Sequence, residues 1–470
     1  MLSCSLFFDL YLKLKVIVIM IISKSKYMKG LQCSKLLWTV CNAIQNIPET
    51  DAGTQVLFDE GEAVGELAQS LFPGGILVER TGGCGEMIQK SQALLISRQP
   101  IFEASFSSGG VYAQADILNP VEDEQWDIVE VKMSTSVKPQ HIQDVALQRH
   151  CYEGAGVAIR NCYLMHINNQ YVRKGKLDTH TLLALEDITE KVTVETIGIA
   201  SRIAEMHRVI KQQTCPDIKV GPHCYAPYTC PLLNQCQLSV EEQNTISPSG
   251  GELTYNADGI RNFLGQLVYP LYLLDFETFM RAIPPYDESW PYMKIPFQFS
   301  LHVVEKLDAE PIHHSWLWDG TGDPRPLMLS ELKNLIGDQG SVMAYFKSFE
   351  EGRLNESADA FPEYAAWVES LMPRMVDLIV PFRSHAVCHT AQNGSNSLKA
   401  VLPAITGNGY KDLAIQDGNT ASAEFVRVTY GDVTDEERTL VRHNLEAYCG
   451  LDTIGMLYIL RKLASLIDSQ

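Results

Sequence analysis

The sequence predicts an α/β protein of two domains, and three observations predict it. At 470 residues the chain exceeds what one ordinary hydrophobic core organises. The polar stretch EEQNTISPSGGE, Glu241 to Glu252, contains Pro248, Gly250 and Gly251 and reads as a linker between halves of similar size. Each half mixes strand-like with helix-like runs: an alternating stretch, GGVYAQADILN, in the first and a continuously apolar LYLL in the second. No repeat of solenoid period is visible. The expected division is a tail over 1–22, a first domain over 23–240, the linker over 241–252 and a second domain over 253–470.

Composition narrows the function classes. With 46% hydrophobic and 20% charged residues, the chain is neither largely disordered nor collagen-like nor a long coiled coil. Lys plus Arg number 38 against 57 Asp plus Glu, a net charge of −19, so any contact with nucleic acid is confined to a local groove or mediated by metal. Twelve cysteines are too sparse for a disulfide scaffold, and where they cluster they point to metal or cluster ligation in a reducing compartment. The apolar run from Leu14 to Ile22, beside Lys13 and Lys15, is shorter than the roughly 20 residues of a membrane span. It leads into SKSKYMKG rather than a small-residue cleavage site. The expectation is an over-called start ahead of Met20 or a poorly ordered tail, no stable membrane association, and a cytoplasmic protein.

The first chemical constellation lies between Gly109 and Tyr152. Val111, Ala113, Ala115 and Ile117 alternate with polar neighbours, then a polar loop over Asn119 to Gln125 leads to a second strand through Ile128 and Val129. Glu130 and Lys132, two apart on that strand, project to one face, and Asp116 on the partner strand can meet them. Asp116, Glu130 and the carbonyl of Val131 make an all-oxygen half-shell suited to Mg²⁺ or Mn²⁺, with Lys132 placed to orient a water. Val137 to Gly154 reads as a helix carrying Gln148 and Tyr152 on one face. This set resembles the PD-(D/E)XK nucleases: Asp116 as the first acid, Glu130-Val131-Lys132 as the (D/E)XK element, and Gln148-x3-Tyr152 as the extra motif of the RecB branch. Glu103, in FEASF, is a looser candidate for a further acid.

Cysteines add an independent signal. Cys224, Cys230 and Cys236 are evenly spaced in GPHCYAPYTCPLLNQC, where Pro222, Pro227 and Pro231 impose a rigid loop. Cys33 lies far upstream in KSKYMKGLQCSKLLW. One early and three late cysteines resemble RecB-branch nucleases with a four-cysteine [4Fe–4S] cluster that staples the ends of the nuclease domain. Thiolates suit iron–sulphur or zinc, and the wide spacing favours the former. Cys215 is a spare and His223 a weaker ligand. Cys41, Cys84, Cys162 and Cys388 sit singly and read as buried reduced thiols.

In the second half, Leu271 to Leu274 read as a strand buried in mid-sheet, from which Asp275 and Glu277 emerge on one side. Thr434 and Glu437 form a capping-box start to a helix whose register runs through Leu440, Val441, Leu445 and Tyr448. Tyr448 and Asp452 share a face, with Gly450 leaving room beside them. An Asp-x-Glu strand followed by Tyr-x3-Asp on the last helix resembles the DEDD exonucleases of RNase H-like fold, tyrosine subtype. The resemblance implies that Asp275, Glu277, a middle acid and Asp452 bind two metal ions and that Tyr448 orients the attacking water. Glu350, in SFEEGRL, stands where that family carries Asp, and Phe346 near where it carries Asn; Asp377 is a strand-end acid able to assist. The segments LDFET, IPFQFS, SFEEGRL, SNSLKAVLP and EAYCGLDT also resemble a bacterial family joining a RecB-type nuclease to a domain of unknown function, in which Gln298 and Lys399 would line the second groove.

The expected fold is thus a PD-(D/E)XK restriction-endonuclease-like core followed by an RNase H-like mixed sheet flanked by helices. The expected activity is metal-dependent hydrolysis of DNA, in single strands or at ends, at two candidate sites. The basic stretch Lys24 to Lys35, together with Tyr27 and the nearby Trp38, would supply a local phosphate track with stacking aromatics. The alternatives are an adaptor that binds nucleic acid with a degenerate second site, or an exonuclease acting on RNA.

Overall fold

A computed structural model describes residues 21–48, 52–80, 82–241 and 252–468 and divides the chain into two compact units. One runs to Ile246 and the other from Ser247, with Asp51–Leu57 and Val172–Gly175 grouped with the second. The predicted tail over 1–22 and linker over 241–252 lie outside the described residues except at positions 21, 22, 241 and 252.

In the first unit, Ile22–Ser23 already forms a strand, β1, so ordered structure starts ahead of the predicted boundary at 23. The sheet comprises β2 (Ile76–Leu77), β3 (Ile101–Ser108), β4 (Val111–Pro120), β5 (Trp126–Lys132), β6 (Ile159–Ile167) and β7 (Leu183–Asp187), adjacent in that order, with β1 paired to the start of β4. β3, β4 and β5 form an antiparallel meander, and β6 lies parallel to β5. Gly109 and Gly110, at φ 60° and 81°, make the tight turn between β3 and β4 that left-handed residues permit. The following loop is shorter than its polarity suggested, because β4 runs on through Pro120.

Helix α1 (Lys24–Gln32) starts at Ser23, whose hydroxyl accepts the Lys26 N–H, and Cys33 separates it from α2 (Ser34–Asn42). Tyr27 is fully buried and its hydroxyl accepts from Arg202 Nε at 2.9 Å, while Trp38 Nε1 donates to the Gln212 carbonyl. Tyr27 is therefore a core residue and not the stacking surface expected of it. Helix α3 (Pro139–Gly154) begins two residues later than predicted, with Pro139 in the first turn where a missing N–H costs nothing. Val145, Leu147 and Tyr152 from α3 pack on Ala113 and Ala115 of β4 and Ile128 of β5.

In the second unit, β8 (Leu253–Tyr255) precedes a five-stranded sheet of β9 (Leu271–Phe279), β10 (Ile295–Val304), β11 (Ile312–Leu317), β12 (Ser341–Ala344) and β13 (Met375–Asp377); β14 (Val387–His389) pairs with β8. The strand order is β11-β10-β9-β12-β13, antiparallel on the first side of β9 and parallel on the other. The uninterrupted apolar run LYLL is explained by two cores. Leu271 and Leu273 face the packing of α6 (Leu398–Thr406), α7 (Gly418–Tyr430) and α8 (Asp435–Asp468). Tyr272, Leu274 and Phe276 face that of α4 (Pro324–Leu335) and α5 (Ser348–Ala360). Thr434 Oγ1 accepts the Glu437 N–H at 3.2 Å, but the Glu437 carboxylate goes to Arg427, so half of the capping box forms. Among the described residues no helix is long and apolar enough to cross a membrane.

Phe425 of α7 fixes that helix to the sheet, stacked 3.8 Å from the Phe297 ring and within 5.9 Å of Trp318. Replacing it with Ala is expected to destabilise the second unit by about 3–5 kcal/mol, read as a lowered urea midpoint. A change under about 1 kcal/mol would show that α7 does not depend on this stack.

Candidate functional site

Asp275 and Glu277 stand within β9, past its continuous apolar run and ahead of the buried Phe279 rather than at a strand end, and Asp452 meets them from α8; one ligand atom of each lies within 4.8 Å of the others. Among the described residues they are the single group of three or more such side chains drawn that close. Register explains the first two, since Asp275 pairs with Ser300 and Glu277 with Gln298 across β10, placing both on one face of the sheet. Helical spacing explains the third, one turn beyond Tyr448.

Burial dominates the electrostatics. It pushes the Asp275 carboxyl well above the usual range, and repulsion from Asp452 adds to it. Glu277 is raised by burial and then by Asp275 and Asp452. Asp452 rises to about 6 through burial, held from going further by the Tyr410 hydroxyl that donates to its Oδ1, by Lys399 and by Tyr448. Glu350, the predicted middle acid, is buried and raised by burial and by Asp275, and its Oε2 has no hydrogen-bond partner. Burial and mutual repulsion thus keep these carboxyls raised, and an all-oxygen set of this kind has the ligand chemistry of a hard divalent ion. The Cys449 thiol also lies 3.6 Å from Asp275 Oδ2, as a donor to it.

Asp275, Glu277 and Asp452 open into a cavity of about 670 Å³ whose other walls include Tyr345, Phe346, Arg383, Lys399 and Tyr448, whereas Glu350 belongs neither to the close trio nor to the cavity wall. Lys399 Nζ sits 4.9 Å over the Tyr448 ring and 5.7 Å over that of Tyr410, confirming it in the groove. Gln298 is not there: it is fully buried, with Nε2 donating to the Leu445 carbonyl. Asp377 does not line the cavity either, since its Oδ1 accepts the backbone N–H groups of Phe346 and Ile379. Tyr410, Arg383 and Cys449 were missed by the sequence reading; the first two lack any spacing to the acids, whereas Cys449 was visible between Tyr448 and Gly450.

In the first unit the predicted residues assemble around Glu130, which is fully buried. Its Oε1 accepts from Lys132 at 2.5 Å and from Lys24 at 2.7 Å, and its Oε2 from Gln148 at 2.7 Å. Asp144 joins them, 2.9 Å from Lys132 and 3.5 Å from Lys24. Asp116 Oδ2 accepts the Val131 N–H at 2.7 Å, so Val131 meets Asp116 through its amide. Burial raises Glu130, but Lys132 and Lys24 overcome it and hold the carboxyl well below the usual range. Burial and the Glu130 charge push Asp116 up to about 7. A divalent ion here would compete with two ammonium groups already on Glu130.

Two sequence expectations are corrected. Tyr152 shares the face of Gln148 but its hydroxyl donates to the Ala104 carbonyl and accepts the Ala115 N–H, tying α3 to the sheet. Glu103 pairs with Arg80 at 3.2 Å rather than with these acids. Lys24 was missed because 106 residues separate it from Glu130, while Asp144 was legible one turn before Gln148.

Cys33, Cys224, Cys230 and Cys236 gather with Leu36 and Leu232, and Cys230 lies within electrostatic reach of the other three thiols. Gln32 Nε2 ties the end of α1 to this loop through the carbonyls of His223 and Tyr228. Of the solitary cysteines, Cys162 is buried as expected, Cys41 and Cys388 are half-buried, and Cys84 is exposed.

Residues 272–397 match a family described as "Domain of unknown function (DUF2779)", a stretch that includes Asp275, Glu277 and Glu350 but ends short of Asp452. The chain is 28% identical to "Uncharacterized protein MG366" of Mycoplasma genitalium over 41% of its length and 32% of that protein's. It is 26% identical to "Uncharacterized protein UU173" of Ureaplasma parvum, over 41% of this chain and 31% of that one. The matched regions thus span about a third of these curated relatives. A solved structure described as "Crystal structure of SSO0001" covers 37% of this chain and 82% of its own at 12% identity; its TM-score of 0.16 carries no argument.

The raised carboxyls set a pH dependence. Asp452 is protonated up to about pH 6 in the folded chain but only to about 3.8 when unfolded, so the folded state holds the extra proton between these values. The contribution of this group to stability is therefore fully present below about pH 4 and lost as pH rises through 6. In EDTA the thermal midpoint is expected to fall across that window, less steeply in Asp452→Asn, and Mg²⁺ or Mn²⁺ is expected to raise it at pH 7.5 but not at pH 4. A wild-type midpoint indifferent to both pH and divalent ions would refute the assignment.

Proposed function

We propose that this chain is a metal-dependent nuclease that hydrolyses phosphodiester bonds, with DNA in single strands or at ends as the favoured substrate. The observation that carries the reading is the convergence of Asp275, Glu277 and Asp452 in a cavity that also presents Lys399 and Arg383. Asp275, Glu277 and Asp452 would hold Mg²⁺ or Mn²⁺, which would supply positive charge for the in-line displacement. Glu350, with one unpartnered oxygen, suits a fourth ligand. Tyr410 and Tyr448 hold Asp452, and the cations of Lys399 and Arg383 suit the phosphates of the strand.

An RNase H-like reading of the second unit draws support from its strand order, third-second-first-fourth-fifth with the second strand antiparallel. A PD-(D/E)XK reading of the first draws support from the meander, helix and parallel strand that assemble Asp116, Glu130, Lys132 and Gln148. A second functional reading, a nucleic-acid adaptor with a degenerate second site, rests on Phe346 and Glu350 standing where the resembling exonucleases carry Asn and Asp.

Labelled DNA and RNA strands incubated with Mg²⁺ or Mn²⁺ separate these readings. DNA is expected to be degraded, and Asp275→Ala to lower the rate at least about a hundredfold. Loss in Glu130→Ala alone would move the activity to the first unit, and binding without cleavage in any divalent ion would favour the adaptor.

For Cys33, Cys224, Cys230 and Cys236 the proposed occupant is a [4Fe–4S] cluster, with zinc as the alternative. Anaerobic purification is expected to yield brown protein containing iron and acid-labile sulphide, both lost in Cys230→Ser. A colourless preparation with stoichiometric zinc would overturn the cluster.

A further inference from the structure

Phe346 is the one exposed large apolar side chain on the wall of the acidic cavity, at 42% exposure. Its backbone is left-handed, φ 71°, a conformation costly for a bulky residue and natural for Gly or Asn. That kink is held from outside: Asp377 Oδ1 accepts the Phe346 N–H at 2.9 Å and the Ile379 N–H at 3.1 Å. An aromatic ring that is neither buried nor relaxed does little for the fold, and strain retained beside a cavity is a mark of binding. The Arg383 guanidinium carbon lies 4.8 Å from the centroid of the same ring, so one side of it already carries a cation. Arg383, Lys399 and the acid trio line this one cavity, which is of the size that small ligands occupy.

We propose that Phe346 and Arg383 form a nucleobase subsite, in which an unpaired base of the bound strand stacks on the Phe346 ring while Arg383 and Lys399 meet the adjoining phosphate. The subsite rests on the nuclease reading of the same cavity and narrows its substrate to strands whose base beside the acids is free of a duplex. A π face for stacking is common to all bases, so the subsite selects for an unpaired base and not for sequence.

The test uses the full chain with single-stranded oligodeoxynucleotides carrying 2-aminopurine or an abasic residue at either end, in Mg²⁺. Binding is followed in the Asp275→Asn background and degradation in the otherwise unaltered chain. One of the two ends is expected to show stacking-quenched fluorescence, and Phe346→Gly to weaken its binding roughly five- to hundredfold. Phe346→Trp is expected to retain it. The same Phe346→Gly change is expected to leave the thermal midpoint unaltered or raised, because Gly relieves the left-handed strain. A merely structural Phe346 would lower the midpoint instead. Equal affinity of Phe346→Gly and its parent, or of base and abasic ends, overturns the subsite. Chain that degrades nothing yet shows Phe346-dependent quenching overturns the nuclease reading alone, and degradation indifferent to Phe346→Gly at base-bearing and abasic ends overturns the subsite alone.

Discussion

Three carboxylates drawn together, Glu277 and Asp452 buried and Asp275 half-buried, lose hydration and repel one another, and the second unit carries that cost at one point. The mid-sheet strand β9 supplies two of them because its apolar residues are consumed by cores on both faces, leaving Asp275 and Glu277 where the apolar run ends. The long helix α8 supplies the third, and it is anchored by the apolar residues that surround Asp452 in its sequence, among them Leu445, Met456 and Leu460. The rigid packing thus prevents the acids from relaxing apart. Raised carboxyls are the result.

The first unit meets a comparable cost in another way. Glu130 is buried more completely than any member of the trio, yet its carboxyl is depressed, because Lys24 and Lys132 approach within hydrogen-bonding distance. One cluster is short of positive charge and the other carries its own. Two ammonium groups reach the Glu130 carboxylate within hydrogen-bonding distance, whereas Lys399 lowers the trio's raised carboxyls without bringing them back to the usual range. Helix α1 also joins two features of the first unit, with Lys24 at its start in the acidic site and Cys33 just past its end among the thiols.

Several features were legible before any coordinates. The alternation of β4 and the spacing Glu130-x-Lys132 placed the first site, the run LYLL marked a central strand, and Tyr448-x3-Asp452 marked one face of the last helix. These are local periodicities, and a strand or helix converts them directly into shared faces. The DUF2779 match falls where a domain of unknown function was expected. Tyr152 shows the limit of the method: its face was correct, but a hydroxyl has more than one partner within reach, and here the sheet backbone claims it. Tyr27 shows another, for an aromatic in a basic helix turned out to be core.

Residue spacing by itself determined β4, β5, β9, the helices α3 and α8, and the faces on which the predicted acids stand, because periodicity is a property of the chain's own geometry. Tertiary structure alone decided which distant groups meet them. Lys24 against Glu130, Tyr410 against Asp452, and Arg383 against Phe346 are contacts between segments remote in sequence. Packing of whole elements creates such encounters, and no local repeat encodes where two elements will touch.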